Sequence, residues 1–310
     1  MKDGSTHLWG IDLGGTKVEG VILESAAKPN VLFRERVATE SHLGYDHILG
    51  QIKRLTDKME AAIGYRARHI GIATPGSVNP RTGTMKNCNT TCLNGRLLKD
   101  DLEKLLGIKL SLANDANCFA LAEANMGVVK ENYPGARIVF GVIMGTGVGG
   151  GIVVDGKVIN GLHGIGGEWG HNVLDATGDH CYCGKNGCVE KILSGPYLEK
   201  YYSSLSMSEK KMQEIYAAYQ SGHDEIAVKT MERMITYFGQ ALSVVVNILD
   251  PDVIVIGGGL SHIDLLYSEG RVSVKNYIFN DQFDTPMVRP KLGDSAGVFG
   301  AAYLNAGSAI

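Results

Sequence analysis

The chain has 310 residues, room for two domains of ordinary size, and its 44% hydrophobic and 20% charged content is that of a globular protein rather than a disordered one. A formal net charge of -3 offers no basic face for nucleic acid and no polybasic membrane patch. The opening Met1-Lys2-Asp3-Gly4-Ser5-Thr6-His7 lacks an apolar signal core, so a cytoplasmic protein acting on small molecules is expected.

Leu8-Trp9-Gly10-Ile11-Asp12-Leu13-Gly14-Gly15-Thr16-Lys17 followed by Val18 to Leu23 reads as strand, glycine turn, strand. Paired glycines let backbone N–H groups approach an anion, with the Thr16 hydroxyl and the Lys17 ammonium beside them. A plain hairpin turn explains the same string, and a Walker loop is ruled out because it needs G-x-x-x-x-G-K-[ST] entering a helix. Ile48, Ile52, Leu55, Met59 and Ile63 then recur at helical spacing, and His69 to Ala73 is a strand ending at Thr74-Pro75-Gly76-Ser77. A polar loop from Asn79 to Gly95 precedes a short helix over Asp100, Asp101, Leu102, Leu105 and Leu106, stopped by Gly107.

Ile108 to Ala113 is a strand that delivers Asn114-Asp115-Ala116-Asn117 to the start of a helix marked by Phe119, Ala120, Glu123 and Ala124. Ligands of α/β proteins bind beyond strand ends, which makes Asp115 a candidate catalytic carboxylate. Capping the helix is the plainer role for the same residues. The second half opens like the first, with a strand over Ile138 to Met144, a turn over Gly145-Thr146-Gly147-Val148-Gly149-Gly150-Gly151 and a strand over Ile152 to Val154. This suggests a weak internal repeat, one unit per domain, with glycine turns facing each other across a cleft. The uncharged stretch from Ile138 to Val154 is glycine-rich and short of the roughly 20 apolar residues a bilayer span needs. Met231, Met234, Ile235, Phe238, Leu242, Val245 and Leu249 mark a long helix stopped by Asp250-Pro251, and Val253 to Ile256 is a strand entering Gly257-Gly258-Gly259. Strands and helices alternate, so the class is α/β.

Six cysteines without an export signal point to metal or buried thiols before disulfides. His171, Cys181, Cys183 and Cys188 make H-x9-C-x-C-x4-C, a complete tetrahedral set for structural zinc, with a reduced cluster or a Cys181/Cys188 disulfide as the alternative. Cys88, Cys92 and Cys118 read as ordinary small side chains, Cys118 in a core. Zinc would order the loop from Gly166 to Glu190 and gather Glu168, His171 and Glu190, acceptors suited to sugar hydroxyls; exposed surface glutamates are the other reading.

Together these motifs resemble the ROK family (repressor, open reading frame, kinase) of sugar kinases, from Trp9 to about Asn305. They are Gly10 to Lys17, Pro75-Gly76-Ser77, Asn114 to Asn117, Gly145 to Gly151, Gly167-Glu168-Trp169-Gly170-His171, the Cys181 to Glu190 segment and Gly257 to Gly259. The resemblance implies an actin-like, ribonuclease-H-like fold of two α/β domains around a central cleft. The expected domains are 1–124, with 297–310 packing back on it, and 125–296 carrying the zinc segment. Carried over to matching positions, Asp115 is the general base, and Gly76, Asn87, Asn114, Glu168, His171 and Glu190 join it around the sugar. Asp12, Gly14, Gly15, Thr16 and Lys17 face the phosphates and Mg²⁺ of ATP, with Gly145, Thr146, Gly147, Gly257, Gly258 and Gly259 around the nucleotide. His171, Cys181, Cys183 and Cys188 are assigned to Zn²⁺.

The loop Lys86-Asn87-Cys88-Asn89-Thr90-Thr91-Cys92-Leu93-Asn94-Gly95 and the phrase Asn247 to Val253 most resemble the fructokinase (manno-fructokinase) branch, with Cys92 where that branch has an aromatic residue. Fructose is therefore the expected sugar, with glucose, mannose and N-acetylhexosamines as alternatives, and a homodimer is expected by family analogy. A sugar-responsive repressor with the same body would carry a helix-turn-helix before the first glycine loop, where this sequence has nine residues ahead of Gly10. A filament-forming or chaperone-like ATPase would leave the zinc segment without a role.

Overall fold

The computed structural model describes residues 6–306; residues 1–5, part of the expected lead-in, and 307–310, part of the expected returning segment, lie outside the described residues. The chain divides into two compact units, one made of Met1–Gly135, Gly151–Gly166 and Lys291–Ile310, the other of Ala136–Gly150 and Gly167–Pro290.

In the first unit β1 (Leu8–Leu13), β2 (Lys17–Leu23) and β3 (Val31–Ala38) form an antiparallel meander. Periodicity did not predict β3, because none of its residues is fully buried and its Arg34, Glu35 and Arg36 hide the apolar signal. Next come α1 (Tyr45–Ile63) and β4 (His69–Thr74), which lies parallel to β1. A ribbon of β5 (Ser77–Val78) and β6 (Met85–Lys86) leads to α2 (Leu98–Leu106) and then to β7 (Lys109–Asn114), parallel to β4. The sheet order is β3-β2-β1-β4-β7. Ile48, Ile52, Leu55 and Met59 of α1 bury against Ile11, Ile22, Ile70 and Ile72 of the sheet, the face that the helical spacing announced. α3 (Asp115–Asn125) and α4 (Val128–Asn132) follow β7 directly.

β8 (Ile138–Met144) and β9 (Val148–Val154) are joined by a turn closed by the Gly145 N–H donating to Gly147 O at 2.9 Å. The expected turn reached Gly151, whereas Gly149 to Gly151 lie inside β9. Their small size serves packing: a Cβ on Gly150 would stand 2.7 Å from Trp169 Cδ1. The chain passes into the first unit within β9 and continues there to β10 (Lys157–Val158). The second unit resumes with α5 (Glu190–Leu193), α6 (Gly195–Ser206), α7 (Met212–Ser221), α8 (Glu225–Leu249), β11 (Val253–Gly257), α9 (Glu269–Lys275) and β12 (Met287–Val288). The second sheet runs β10-β9-β8-β11-β12, and its order repeats that of the first sheet, a hairpin-linked trio followed by two strands in parallel register.

α10 (Ala296–Tyr303) ends the described fold in the first unit, packed on α3, β1 and β4. Its backbone comes so close that a Cβ on Gly71 would overlap the Ala301 carbonyl, so only glycine fits there. Two local ties within the first unit reach past residue 124 and ahead of residue 297. Asn125 Nδ2 donates to Gly156 O at 3.2 Å, and the fully buried Glu123 carboxylate accepts the amides of Lys291 at 3.0 Å and Leu292 at 2.8 Å. Among the described residues no helix is long and apolar enough to cross a membrane.

Candidate active site

Three neighbouring strands of the first unit end in step, with Asp12 paired to Ala73 and Thr74 paired to Asn114. Asp12, Thr74-Pro75-Gly76 and Asn114-Asp115 therefore emerge side by side at the carboxyl ends of β1, β4 and β7, where α/β folds bind ligands. The Thr74 hydroxyl ties two of these ends together by donating to Gly76 O at 2.7 Å and Ala113 O at 3.2 Å. Asn114 Oδ1 accepts the Asn117 amide at 2.8 Å and caps α3, while Asp115 heads the helix and stays open to water. The cap and the exposed carboxylate are thus adjacent residues.

Although water reaches the outer side of Asp115, the protein packed around the rest of its carboxyl desolvates it and raises it above its ordinary value, against the lowering effect of the Ala116 amide, which donates to it at 2.8 Å. Asp12 is pushed up to about 6, by burial first and then by the charges of Asp115 and Glu19. Asp12, a carboxyl held where its ionisation is costly, is a ligand whose strain a divalent cation would relieve, so it fits Mg²⁺. Thr39 holds the Gly14-Gly15-Thr16-Lys17 turn through its hydroxyl, which donates to Gly14 O at 2.7 Å, and through its amide, which donates to Thr16 O at 3.0 Å. Gly15 and Thr16 are exposed and Lys17 is half-buried.

Gly76 lies against the loop that carries Asn87, since a Cβ there would stand 2.6 Å from Cys88 Sγ. Asn87 takes a left-handed backbone at φ 56, a conformation asparagine tolerates better than most residues. Asn94, which sequence reasoning placed in the loop without a role, braces it by accepting the Cys88 amide at 2.8 Å and donating to Cys88 O at 3.2 Å.

In the second unit the two glycine turns are neighbours, because β8 and β11 pair in parallel with Ile143 opposite Gly257. Gly258 has φ 81, and a Cβ there would overlap the Met144 carbonyl. The Gly195 amide at the start of α6 donates to Gly145 O at 2.8 Å. Thr146 is exposed at the tip of its turn. Glu190 Oε2 accepts the Val148 amide at 3.1 Å, which fixes that carboxylate beside Gly147. Glu168 precedes and His171 ends one 3₁₀ turn, anchored by buried Trp169, whose indole donates to Gly149 O at 2.8 Å and meets Phe140 edge-on.

The donor atoms of His171, Cys181, Cys183 and Cys188 all lie within 4.8 Å of one another. Cys183 Sγ is 3.5 Å from Cys188 Sγ, and Cys181 Sγ is 3.6 Å from His171 Nδ1. Ligands 2.0–2.3 Å from a tetrahedral zinc stand about 3.3–3.8 Å apart, and these two pairs have that spacing. Burial, reinforced by the adjoining sulfurs, pushes the Cys188 thiol up to about 12. A bound cation would reverse that, since it favours thiolate. Tyr182, missed in the sequence, meets His171 Nε2 through its hydroxyl at 2.9 Å. Both ring nitrogens of His171 are then engaged in this cluster, and of its two expected duties the geometry favours metal ligation over sugar contact. Cys118 is fully buried in α3, as its neighbours in sequence suggested.

Sequence reasoning also passed over Glu19, which pairs with Asp12 in register, is fully buried, and bridges to Arg34 at 2.6 Å and Arg36 at 2.9 Å. Its only sequence signal was a charged residue inside an apolar strand.

Residues 8–307 match the ROK family model. The chain is 35% identical over 308 residues to the N-acetyl-D-glucosamine kinase of Photobacterium profundum, covering 96% of this chain and 98% of that protein. It is 36% identical over 308 residues to the enzyme of that name from Vibrio cholerae, covering 96% and 99%. Both names differ from the fructokinase branch expected from the loop. Among solved structures, ROK hexokinase from Thermus thermophilus gives a TM-score of 0.85 at 28% identity over 96% of this chain and 97% of that one. A ROK family glucokinase from Streptomyces griseus, in complex with glucose and AMPPNP, gives 0.74 at 25% over 96% and 98%. With a family match across nearly its whole length and an actin-like α/β fold, the chain belongs to the ROK family and is an ATP-dependent sugar kinase.

Proposed function

We propose that the enzyme transfers the γ-phosphate of ATP to the primary hydroxyl of a hexose, with Asp115 as general base. The observation supporting this is the emergence of Asp12, Thr74 to Gly76 and Asn114-Asp115 from three adjacent strand ends in register. Phosphoryl transfer has a loose transition state, so the protein contributes positioning and charge stabilisation more than covalent chemistry. Asp115 accepts the proton of the attacking hydroxyl, and its raised carboxyl pKa makes it a better base than an ordinary aspartate. Mg²⁺, when bound, neutralises charge on the phosphate oxygens, and Asp12 is the residue we assign to it. Gly14, Gly15, Thr16 and Lys17, with Gly145 to Gly147 and Gly257 to Gly259, are assigned to ATP. Gly76, Asn87, Asn114, Glu168 and Glu190 are assigned to the sugar. Zn²⁺ on His171, Cys181, Cys183 and Cys188 is structural, because four protein ligands leave no open position.

For the sugar we take fructose, on the resemblance of the Lys86 to Gly95 loop and of Asn247 to Val253. N-acetyl-D-glucosamine is the second reading, carried by the names of relatives that match 96% of the chain. At about one-third identity the fold is shared, while the few side chains that select a sugar can differ. A coupled ADP-release assay across fructose, mannose, glucose, N-acetylglucosamine and N-acetylmannosamine tests both. The highest kcat/KM with fructose supports the first reading and with N-acetylglucosamine the second, while no sugar-dependent ADP release would overturn the kinase itself.

A further inference from the structure

The open edge of the first sheet borders a cavity that the kinase reaction leaves unused. β7 is an outer strand, paired with β4 on one side only. On its outer side the Leu110 amide donates to Glu103 Oε1 at 2.9 Å, and by the two-residue period of a strand the Leu112 backbone turns the same way. There a cavity of ≈ 760 Å³ opens within the first unit, walled by β7, α2, α3, α4, the turn between β9 and β10, and the end of α10. Tyr303 closes one side by donating from its hydroxyl to Ala26 O at 3.2 Å. Asn125, a lining residue and the last of α3, stands about 15 Å along the helix from Asp115, so the cavity is separate from the strand ends that carry the candidate active site.

The lining is basic. Lys99 of α2, Lys130 of α4 and Lys157 of β10 reach it from three separate elements, against Asp155 as the one carboxylate among the described lining residues. None of the three lysines is in an ion pair among the described residues. Burial first, and then the charge of Lys99, lower the His69 imidazole, whose Nε2 lies 3.0 Å from Ser111 Oγ on the cavity wall. The field of Lys99 is thus felt at the strand edge. Ammonium groups gathered without counter-charges repel one another, and an anion between them removes that cost.

We propose that this cavity binds a phosphate monoester whose organic body is the size of a sugar or a nucleoside. At neutral pH a phosphate monoester carries a charge of about −1.5 to −2 and three strong acceptor oxygens, which matches three ammonium donors set against one carboxylate. The volume calls for the organic body. Sites for small molecules run to roughly 300–1,000 Å³, and a bare phosphate would leave most of this one empty. The remaining lining suits such a body. Asn125 Nδ2 is committed to Leu121 O at 3.0 Å and Gly156 O at 3.2 Å, which holds the amide in place and leaves its Oδ1 to accept a hydroxyl. Leu121 and Leu304 give apolar surface on which a ring can rest. Sugar phosphate, the product class of the kinase itself, and nucleoside monophosphate are the two sources of this chemistry.

The test is isothermal titration calorimetry of the full chain, with AMPPNP and Mg²⁺ filling the ATP site, for the wild type and for K130Q/K157Q. The probes are glucose 6-phosphate, AMP and inorganic phosphate. One of the two esters should bind the wild type one to one, and the tighter of them names the source. Inorganic phosphate should bind on the order of 10-fold more weakly than that ester. In K130Q/K157Q, whose exposed side chains carry no core packing, the ester should bind on the order of 100-fold more weakly, with an unchanged circular dichroism spectrum. Turnover measured without added ester should keep its wild-type kcat and KM, because neither lysine belongs to the candidate active site. Absence of binding by both esters would overturn the proposal, as would inorganic phosphate binding as tightly as either. Wild-type affinity in K130Q/K157Q would do the same, since the ester would then be held elsewhere on the chain.

Discussion

Asp12 and Glu19 are register partners across the hairpin of β1 and β2, two carboxylates set opposite each other on adjacent strands. Arg34 and Arg36 reach Glu19 from β3, and a Cβ on Gly297 at the head of α10 would stand 2.6 Å from Asp12 Oδ2. Burial first, then Asp115 and Glu19, raise Asp12 from an ordinary 3.8 to about 6. Its ionised form therefore opposes folding above about pH 6, and that cost fades as pH falls toward 4 and both states become protonated. Replacing Asp12→Asn without added divalent ion should raise the melting temperature at pH 8 by about 2 °C and leave it unchanged near pH 4. Calorimetry at the two pH values decides this, and equal shifts at both would reject the linkage.

Asp115→Asn keeps the shape of the side chain and removes its basicity. Turnover should fall about 10²- to 10⁴-fold, with little change in sugar KM or melting temperature. Steady-state kinetics beside a thermal melt separates this from misfolding, and turnover at the wild-type level would remove Asp115 from the chemistry.

The sulfur cluster predicts one equivalent of zinc per chain. Cys188→Ser, or prolonged chelation, should release the metal, lower the melting temperature by several degrees and weaken sugar binding, because the Glu168 to Glu190 segment loses its tie. Atomic absorption of the purified enzyme checks occupancy, and active protein free of bound metal would refute the assignment.

Asp224 begins α8 by accepting the amides of Ile226 at 3.0 Å and Ala227 at 2.9 Å, and it also meets Lys210 at 2.7 Å and the Tyr202 hydroxyl at 2.7 Å. Lys210, then Tyr202 and the Ala227 amide, hold its carboxyl well below the usual range. A depressed carboxyl stabilises above the unfolded value of 3.8 and loses that contribution as pH falls below it. Asp224→Ala should cost about 1–2 kcal/mol at pH 7, and the gap from wild type should narrow below about pH 4. Urea unfolding at pH 7 and pH 3 measures both, and a gap of constant size would show that charge plays no part.

Much of the first unit was legible because its elements obey one period each. The α1 stripe, the β4 and β7 strands and the stop at Gly107 all match. α10 was not legible: every residue of Ala296-Gly297-Val298-Phe299-Gly300-Ala301-Ala302-Tyr303 except Gly297 is buried, so no polar face reveals a helical period. The β9 glycines misled because glycine marks both turns and close packing, and only their neighbours in space, Trp169 at Gly150 and Ala116-Asn117 at Gly151, tell them apart. At the candidate site, residues on strand ends and glycine turns could be named from the sequence. Their supports could not, because Glu19, Asn94 and Tyr182 act through neighbours brought up by pairing between strands or by loop closure.

The return of α10 to β1 and β4 bears on the order of events during translation. The glycine-lined surface at Gly10 and Gly71 waits for residues made after the second unit, so on the ribosome the later half is able to fold while the earlier half still lacks its last helix. A nascent chain stalled before Ala296 would hold an open apolar sheet, a target for chaperones and proteases, and a stop codon there would be far more damaging than its position near the end suggests.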